Sequence, residues 1–331
     1  MLASIQKILD VQPVENADAL DKVKVLGWQV VAKRGEFKVG DLCVYIQIDT
    51  IVPDKPEFAF LAGNKFRVRT IKLRGCLSQG IVFPLSILPN PTPISWVEGE
   101  DVSETLGVTH YEKPVSAQLG GENKGNFPPF IPKTDEERIQ NIPAVLDELR
   151  GKQYIITTKC DGTSCTIFFK DGEFGVCSRN NMKKESDNSV YWRVAKKYDL
   201  EAKLRKFNRN FAIQGEICGP GIQKNKLGLT EIDFFVFDVF DIDEGKYLPA
   251  YQMLSITQVM ELKKVPIDEM GQGFPYSLEQ LLEKAKGKYH DTQNDREGIV
   301  IRSITGDFSE RLRDRISFKV LNNDFLLKEK E

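Results

Sequence analysis

The stretch from Tyr154 to Phe169, YIITTKCDGTSCTIFF, constrains the fold of this chain more than any other. Its two halves, Tyr154–Thr158 and Thr163–Phe169, are rich in β-branched and aromatic residues, which favours strands. Between them an Asp-Gly pair follows Cys160, and such a pair is a strong turn signal. The stretch therefore predicts a β-hairpin, with Lys159 at the last strand position before its turn.

The K-x-D-G sequence formed by Lys159, Asp161 and Gly162 resembles the nucleophile motif of the covalent nucleotidyltransferases, and its residue types suit that chemistry. A lysine amine can attack the α-phosphorus of a nucleotide if it is a free base. Because the ordinary lysine pKa is about 10.4, such an amine must be desolvated or lie near other cations. Asp161 can hold water around a divalent metal ion, and a glycine lets the backbone approach a nucleotide closely. On these residues alone, a solvated hairpin lysine stays an open alternative.

Composition indicates a globular chain with room for two domains. The chain has 331 residues, of which 41% are hydrophobic and 28% charged, as is ordinary for such proteins. No apolar run is long enough to span a bilayer, no signal-peptide pattern is present, and nothing indicates an obligate protein partner. The formal net charge is −2, so a nucleic-acid partner requires a local basic surface.

The cysteines predict free thiols and a cytoplasmic location. They form no C-x-x-C pair and lie mostly in apolar strand-like runs, which favours buried thiols in a reducing compartment. They are Cys43, Cys76, Cys160, Cys165, Cys177 and Cys218. Because the chain has only 2 histidines, zinc sites and histidine-based catalysis are also disfavoured.

Residues 1–106 predict a small β-barrel of the OB type, because short strands follow one another without long helices. The predicted strands are Ala3–Val11, Val23–Lys33, Asp41–Gln47, Phe66–Leu73 and Gln79–Leu85, with turns at 38–41 and 74–75. Such barrels bind oligonucleotides through a charged, aromatic face. The candidate members of that face are Trp28, Lys33, Arg34, Lys65, Arg67, Arg69, Lys72 and Arg74. Ordinary exposed charges on a barrel are an equally good explanation for any one of them.

Glycine and proline mark the boundary between the domains. Residues 111–132 are rich in both, so we predict a linker or strap over 107–133 and a second domain over 134–331. A proline-rich loop is also predicted over Pro89–Glu100. Thr134 with Glu137 resembles a capping box and predicts a short helical turn. A second helix is predicted over Ala144–Arg150, before a glycine that closes it.

Further strand-like runs in the second domain carry candidate functional residues. Phe211–Cys218 carries Glu216, Phe234–Phe240 carries Phe237, Glu297–Ser303 opens with Glu297, and Arg315–Leu321 carries Lys319. A short strand over Gly175–Arg179 and a helical segment over Ser189–Phe207 lie between them. Taken singly, each candidate has an ordinary explanation, since carboxylates at strand ends are often exposed and phenylalanines are usually core residues.

Taken in order, these motifs resemble those of the ATP-dependent ligase superfamily of covalent nucleotidyltransferases. The series is K-C-D-G (159–162), S-R-N (178–180), G-E-I (215–217), F-V-F-D (235–238), E-G-I-V (297–300) and S-F-K (317–319). The N-terminal runs LGWQVVAKRGEFKVGDLCVYIQID and VRTIKLRGCLSQGIVFPLS are similar to those of RNA-repair ligases. The resemblance covers essentially the full chain. It implies an α+β protein, with an N-terminal OB-fold β-barrel before a ligase-type nucleotidyltransferase domain of antiparallel sheets.

The resemblance also implies roles for individual residues. Lys159 is the nucleophile that becomes adenylated by ATP. Asp161, Glu216 and Glu297 hold Mg²⁺ or Mn²⁺ through its waters, and contact with the ribose hydroxyls is the alternative for Glu216. The other implied contacts are Gly162 near the nucleotide, Arg179 at the ribose or the RNA end, Phe237 on adenine, Lys319 at the α-phosphate and Arg138 at the outgoing phosphates.

The implied reaction is the sealing of RNA ends, or of a nicked duplex with a 3′-OH RNA strand. AMP passes from ATP to the lysine and then to an RNA 5′-phosphate, from which a 3′-hydroxyl displaces it. Two alternatives stay open at this stage. An mRNA-capping guanylyltransferase shares K-x-D-G but usually carries its OB domain after the catalytic domain. A non-catalytic RNA-binding homologue is expected to lack an essential residue.

Two positions depart from the superfamily pattern. Ser317 stands where a K-x-K motif usually has its first lysine, so Lys319 is left alone. Arg315 or Arg313 is a candidate to supply the missing charge. Thr158 precedes the nucleophile where several relatives carry glutamate.

Overall fold

The chain divides into two compact units in a computed structural model that describes residues 1–89, 96–111 and 120–329. The N-terminal unit comprises Met1–Lys113, Gln140–Pro143 and Leu326–Glu331, and the two-sheet unit comprises Pro114–Ile139 and Ala144–Phe325. Parts of the predicted loop and strap, residues 90–95 and 112–119, lie outside the described residues. No helix in the described ranges is long and apolar enough to cross a membrane.

The N-terminal unit consists of short antiparallel strands around one apolar core. Its strands are β1 (Ala3–Pro13), β2 (Leu20–Val25), β3 (Trp28–Lys33), β4 (Leu42–Ile46), β5 (Thr50–Ile51), β6 (Thr70–Leu73), β7 (Cys76–Gln79), β8 (Ile81–Pro84) and β9 (Thr109–His110). One sheet has the order β3-β2-β1-β4-β8, and β5–β9 and β6–β7 form separate pairs. The connections contain 3-10 helices at Pro56–Asn64 and Leu85–Ile87 and the helix α1 (Ser103–Leu106). Ile5 of β1 and Val44 of β4 are among the buried residues of the core.

One predicted strand of this unit is a hairpin. The stretch Val23–Lys33 contains the end of β2 and all of β3, because the chain turns at Leu26, where φ is 51°. The turn predicted at Arg74-Gly75 is confirmed, and φ is positive at both residues, 51° and 81°. Positive φ at both central positions of a two-residue loop matches the twist of a hairpin.

The two-sheet unit contains most of the remaining elements. The remaining strands are β10 (Asn123–Asn126), β11 (Glu137–Arg138), β12 (Tyr154–Lys159), β13 (Thr163–Lys170), β14 (Glu173–Ser178), β15 (Asn181–Lys183), β16 (Phe211–Cys218), β17 (Asp233–Asp241), β18 (Lys246–Tyr247), β19 (Lys263–Lys264), β20 (Ile267–Gly271), β21 (Gly298–Ser303), β22 (Phe308–Ser309), β23 (Asp314–Arg315) and β24 (Ser317–Leu321). The remaining helices are α2 (Val145–Leu149), α3 (Val190–Lys197), α4 (Leu200–Phe207), α5 (Ala250–Val259), α6 (Leu278–Lys284) and α7 (Asn323–Lys328), with 3-10 helices at Ile139–Asn141 and Gln223–Asn225.

These strands form two main sheets. The large sheet has the order β10-β15-β14-β13-β16-β17-β18, with β19 beside β17, and the small sheet has the order β11-β24-β21-β12-β20. Val194 of α3 and Leu204 of α4 belong to the same buried core as Ile167 and Ile213 of the large sheet. The helical segment predicted from 189 to 207 is thus two helices, because the backbone is left-handed at Asp199. The chain is an α+β protein, as predicted.

The predicted hairpin at 154–169 is wrong, because β12 and β13 lie in different sheets. Every residue from Tyr154 to Thr158 is buried, as expected for a strand that is covered on both faces. β12 pairs with β20 and β21 in the small sheet, whereas β13 pairs with β14 and β16 in the large one. The chain therefore crosses from one sheet to the other at Cys160–Gly162, immediately after Lys159.

The predicted capping box is also wrong, because no helix begins at Thr134. Its hydroxyl hydrogen-bonds with the Ser164 hydroxyl at 2.6 Å. Glu137 and Arg138 form β11, which pairs in parallel with β24 at the edge of the small sheet. The helix predicted over 144–150 is confirmed as α2.

Gly162 ends the crossing at a point where no side chain fits. A Cβ atom at this position would lie 2.3 Å from the carbonyl oxygen of Ile217 and 2.8 Å from Cγ of Glu216. The glycine thus allows the crossing to pack against β16. The predicted reason, close approach to a nucleotide, is not needed to explain this residue.

We expect Gly162→Ala to lower the free energy of unfolding by about 1–3 kcal/mol, because overpacking forces the backbone of β16 to move. Urea unfolding would measure this loss. Gly125→Ala is the matched control, since a Cβ there meets nothing within 4 Å and φ is not positive. Equal stability of the two variants would contradict the close contact at Gly162.

Candidate active site

One face of the small sheet gathers the predicted cationic residues. Thr157 of β12 pairs with Val300 of β21, which in turn pairs with Lys319 of β24. Lys159 lies two positions after Thr157, so its side chain is on the same face as that of Lys319. Arg138 of β11 is the register partner of Lys319 on the other side. The structure therefore brings together three residues that are far apart in the sequence.

The amine of Lys159 contacts a carboxylate, with 2.8 Å between Nζ and Oε2 of Glu297. Burial by itself lowers the pKa of Lys159, but the charges of Glu297, Glu216 and Asp161 outweigh it, so the net pKa is raised. As these groups stand, Lys159 is an ammonium ion. Added positive charge beside the carboxylates is what makes the amine a free base.

The glycine after Glu297 is required by the backbone. Gly298 has a φ of 154°, and a Cβ there would lie 2.1 Å from the carbonyl oxygen of Val320. No other residue type fits this close approach of β21 and β24. Glu297 directly precedes this close approach, and its carboxylate contacts the amine of Lys159.

Glu216 lies in β16, opposite Ser164 of β13 and Phe235 of β17. Burial, together with the charges of Glu297 and Asp161, raises the pKa of Glu216 to about 8 against the opposing effect of Lys159. Asp161, Glu216 and Glu297 thus all lie close enough to Lys159 for their charges to affect the pKa of its amine.

This set of carboxylates fits a divalent cation chemically, since Mg²⁺ and Mn²⁺ prefer oxygen ligands. Among the described residues, however, no group of three or more His, Cys, Asp or Glu side chains is close enough together to hold an ion directly. Mg²⁺ usually keeps several of its water molecules. Contact through water, the mode predicted from the sequence, stays a prediction.

Lys226 is a further charged neighbour of the site, which sequence reasoning missed. Its ammonium lies 3.0 Å from Oδ2 of Asp161 and 3.5 Å from the centroid of the Phe325 ring. It follows the loop Gln223–Asn225, whose residues all have positive φ. Neither motif nor spacing indicates this residue, because its partner Asp161 is distant in the sequence.

Tyr289 was missed as well. It lies in a polar stretch between α6 and β21, and its hydroxyl is within hydrogen-bond distance of backbone groups of Lys159, Asp161 and Glu297. A tyrosine in a loop sequence carries no signal of this kind.

Lys319 and Arg138 form the cationic part of the site. Burial, together with the positive charges of Arg138 and Lys159, lowers the pKa of Lys319 to about 8. Cations that converge in this way against their own repulsion are typical of a site for an anion. Phe318 and Val320, on either side of Lys319, are buried, as the predicted alternation requires.

A cavity of about 200 Å³ lies beside this face. Its lining residues are Lys133, Thr134, Asp135, Glu136, Glu137, Phe237, Asp238, Tyr247, Leu312, Asp314, Arg315 and Ser317. Phe237 is thus available to a flat group in the cavity. Arg179 is half exposed and ion-paired with Asp135 at the lining.

Ser317 is surrounded by arginines that are already paired. Its hydroxyl donates to Glu136 at 2.7 Å. Arg315 contacts both oxygens of Asp238, at 2.6 and 2.5 Å. Arg302 is the register partner of Ser317 and bonds Glu136 at 2.7 Å. The two arginines outweigh the effect of burial and hold the pKa of Asp238 below its usual range.

The arginines that could replace the missing lysine charge differ in where they lie relative to the cavity and to Ser317. Arg315 lies at the cavity beside Ser317, but its charge is matched by Asp238. Arg313 is exposed, with a positive φ in the turn before β23, and is not among the lining residues. Arg302, which sequence reasoning missed, lies directly across from Ser317, but its charge is likewise matched, by Glu136 and Asp238.

Two residues of the predicted RNA-binding face lie inside the N-terminal unit instead. Trp28 is 1% exposed, and its indole N–H donates to Oδ1 of Asn141 at 2.7 Å. Arg67 is 5% exposed, pairs with Asp49 at 2.6 Å and stacks on Tyr111 at 3.6 Å. Both predictions are wrong, because the two side chains are buried and their polar atoms bond to partners within the unit.

The other predicted members of the face keep at least part of their side chains at the surface. Lys33, Lys65, Lys72 and Arg74 are exposed, and Arg69 is half-buried. Arg34 is exposed but bonds Asp21 and the carbonyl oxygens of Ala17 and Leu20. Lys72 and Arg74 lie in and beside the β6–β7 hairpin, where Leu73 between them is exposed too.

A lysine at the end of a strand, carboxylates around its amine and nearby cations for phosphates define the covalent nucleotidyltransferase class. Residues 2–85 match an OB-fold domain family, and residues 152–321 match the RNA ligase family. The chain belongs to the RNA ligase family, whose members are enzymes. No curated protein matches the chain.

Solved structures of an RNA ligase from Naegleria gruberi are similar over the whole chain. The structure with PPi is 36% identical, has a TM-score of 0.89, and the match covers 98% of this chain and 97% of that chain. A mutant with ATP and Mn is 35% identical, with a TM-score of 0.91 and coverage of 100% and 99%. A mutant with AMP and Mn is 36% identical, with a TM-score of 0.90 and coverage of 98% of both chains.

We expect Lys319 to lose its charge as the pH rises through about 8, since burial and neighbouring cations disfavour the ammonium form. The charge that it offers to a phosphate is then complete well below pH 8 and lost well above it. NMR titration of ¹³C-labelled lysine side chains should show one resonance with a midpoint near pH 8 that is missing in Lys319→Met. Exposed lysines, titrating near 10.4, are the internal control. A midpoint near 10.4 for Lys319 would contradict the claim that burial and neighbouring cations lower its pKa.

Proposed function

We propose that this RNA ligase adenylates Lys159 with ATP and then seals RNA ends, or a nicked duplex whose 3′-OH strand is RNA. The observation that carries the proposal is the 2.8 Å contact between the Lys159 amine and Glu297, on the sheet face that also bears Lys319 and Arg138. Positioning and charge neutralisation of this kind are the main means of catalysis in phosphoryl transfer. The Naegleria structures with ATP, AMP and Mn support these ligands for the site.

In the first step, the Lys159 ammonium first loses one proton to solvent. Nζ of the free amine then bonds to the α-phosphorus of ATP while the bond from that phosphorus to the bridging oxygen of the β-phosphate breaks. Pyrophosphate leaves, and the nitrogen releases a second proton to solvent as the P–N bond forms. We assign Lys319 to the α-phosphate and Arg138 to the departing phosphates, where both cations stabilise the developing negative charge. We assign Phe237, which lines the cavity, to stacking on adenine. Gly162 has no assigned contact beyond its packing against β16.

We assign Asp161, Glu216 and Glu297 to a divalent ion, Mg²⁺ or Mn²⁺, that they hold through water. When bound, the ion adds positive charge beside the α-phosphate and the amine, which favours the free base of Lys159. Contact with the ribose hydroxyls is the alternative role of Glu216. Its raised pKa, about 8, suits a carboxyl that gains charge only when a cation arrives.

In the later steps, the RNA 5′-phosphate takes AMP from Lys159 as the P–N bond breaks. The 3′-hydroxyl of the second end then displaces AMP and forms the phosphodiester. We assign Arg179 to the ribose or the RNA end. The domain division at 1–106, 107–133 and 134–331 stays a prediction, as does the cytoplasmic location, which the free cysteines support.

Incubation with α-labelled ATP and Mg²⁺ or Mn²⁺ should label the wild-type chain so that the label survives denaturing electrophoresis. We expect Lys159→Ala to form no adduct at all, because the attacking nitrogen is absent. Lys170→Ala, which removes a half-buried lysine at the end of β13, is the matched control and should label normally. Labelling of Lys159→Ala at the wild-type level would refute the assignment. A parallel arm with α-labelled GTP distinguishes capping chemistry.

We expect the double variant Lys72→Glu, Arg74→Glu to seal nicked RNA more slowly while its adenylation by ATP is unchanged. The reason is that phosphate contacts contribute salt-dependent affinity for nucleic acid, whereas adenylation requires no RNA. Replacing two cations with two anions should weaken RNA binding by more than about tenfold at low salt and by less at high salt. Filter binding at two salt concentrations measures this. Unchanged binding at both would exclude the β6–β7 hairpin from the RNA surface.

A further inference from the structure

The buried hydroxyl of Tyr289 forms hydrogen bonds with the backbone of three residues of the site, Lys159, Asp161 and Glu297. Tyr289 is 6% exposed. The amides of Asp161 and Glu297 donate to its oxygen at 2.9 and 3.1 Å. Its hydroxyl donates to the carbonyl oxygen of Lys159 at 2.9 Å. A hydroxyl has one donor and two acceptor sites, so all of its hydrogen-bonding capacity is used.

The hydroxyl of Tyr289 lies where the pairing between β12 and β21 ends. β12 and β21 pair antiparallel up to Lys159 and Gly298. The next pair would join Cys160 to Glu297, but the chain leaves the small sheet at Cys160. Buried backbone groups that lose their ladder partners need another one. Tyr289 supplies it for the carbonyl before the crossing, for an amide within the crossing and for the amide of Glu297.

Tyr289 is itself held by a short loop that leads back to β21. Its amide donates to the carbonyl oxygen of Asn294 at 3.0 Å, and its carbonyl accepts from the hydroxyl of Thr292 at 3.1 Å. Lys288 and Asp295 form an isolated bridge across the base of this loop. Burial, helped by the charge of Glu297, raises the pKa of Tyr289, so the phenol keeps the proton that it donates.

We propose that Tyr289 is a positioning residue for lysine adenylation. Its oxygen sets the distance and the orientation between the Lys159 amine and the carboxylates of Asp161 and Glu297. It acts through these residues and does not touch ATP, because no hydrogen-bonding site on its oxygen is left for a substrate. The inference rests on the proposed adenylation of Lys159. It adds that the Tyr289 hydroxyl aligns the Lys159 amine with the two carboxylates.

The test is Tyr289→Phe, which keeps the ring and removes only the hydroxyl. The variant loses the three hydrogen bonds that the hydroxyl makes to the backbone of Lys159, Asp161 and Glu297, so the crossing relaxes. Small misplacements of a nucleophile cost up to about 100-fold in rate. We expect the single-turnover rate constant for adduct formation at saturating ATP to fall about 10- to 100-fold. The half-saturating ATP concentration should change less than about threefold, because no ATP contact is lost.

The matched control is Tyr198→Phe. This hydroxyl also bonds a buried group, the carboxylate of Asp233, but it lies at the end of α3 and contacts none of the site residues. We expect it to lose stability without a change in the adenylation rate constant. Only folded molecules form the adduct. Partial unfolding therefore lowers the amplitude of adduct formation but does not change the rate constant measured for the folded fraction.

Each outcome bears on the proposal. A slower rate constant at full amplitude, confined to Tyr289→Phe, supports it. A wild-type rate constant overturns it, whether the amplitude is full or reduced, and so does a loss of ATP affinity alone. On the wild-type chain, the amide hydrogens of Asp161 and Glu297 should exchange slowly with deuterium, and rapid exchange of either overturns the proposal without any variant. If wild type forms no adduct, or Lys159→Ala forms one, the proposed function fails instead.

Discussion

The attraction between the Lys159 ammonium and the carboxylates around it is the interaction on which the rest of the site depends. Burial disfavours the charged amine, yet Glu297, Glu216 and Asp161 more than offset this effect. The result is a half-buried lysine whose ammonium form is stabilised by three acidic side chains. Positive charge added beside these side chains would lower the pKa of Lys159 and favour the free amine that the proposed attack requires.

This charge arrangement depends on a change of sheet in the chain. Lys159 ends a strand of the small sheet, and Gly162 already packs against the large one. The crossing brings Glu216 of β16 and Glu297 before β21 to the same amine, although neither strand pairs with the other. Glycines at 162 and 298 allow the close approaches that this requires. Tyr289 satisfies the backbone groups that the crossing leaves without ladder partners.

Much of the fold could be predicted because strand formation follows local patterns. The runs that became β16, β17, β21 and β24 were recognised from their apolar and β-branched residues. The hairpin at 154–169 was wrong, because a turn does not specify which sheet its two strands join. The capping box at Thr134 was wrong, because Glu137 and Arg138 pair with β24 as a strand. Trp28 and Arg67 were misjudged for a related reason, since burial of an amphipathic side chain depends on partners that are distant in the sequence.

The sequence by itself determined the order and the chemical type of the reactive groups, from Lys159 to Lys319, because those are properties of residues. Only the tertiary structure decided which of them share a face, that Lys226 pairs with Asp161, and that Arg302 lies across from Ser317. It also decided that Lys159 is held as an ammonium ion and that Tyr289 joins its strand to Glu297. The physical reason is that pKa values and hydrogen-bond partners depend on distances in space, which are set by long-range strand pairing.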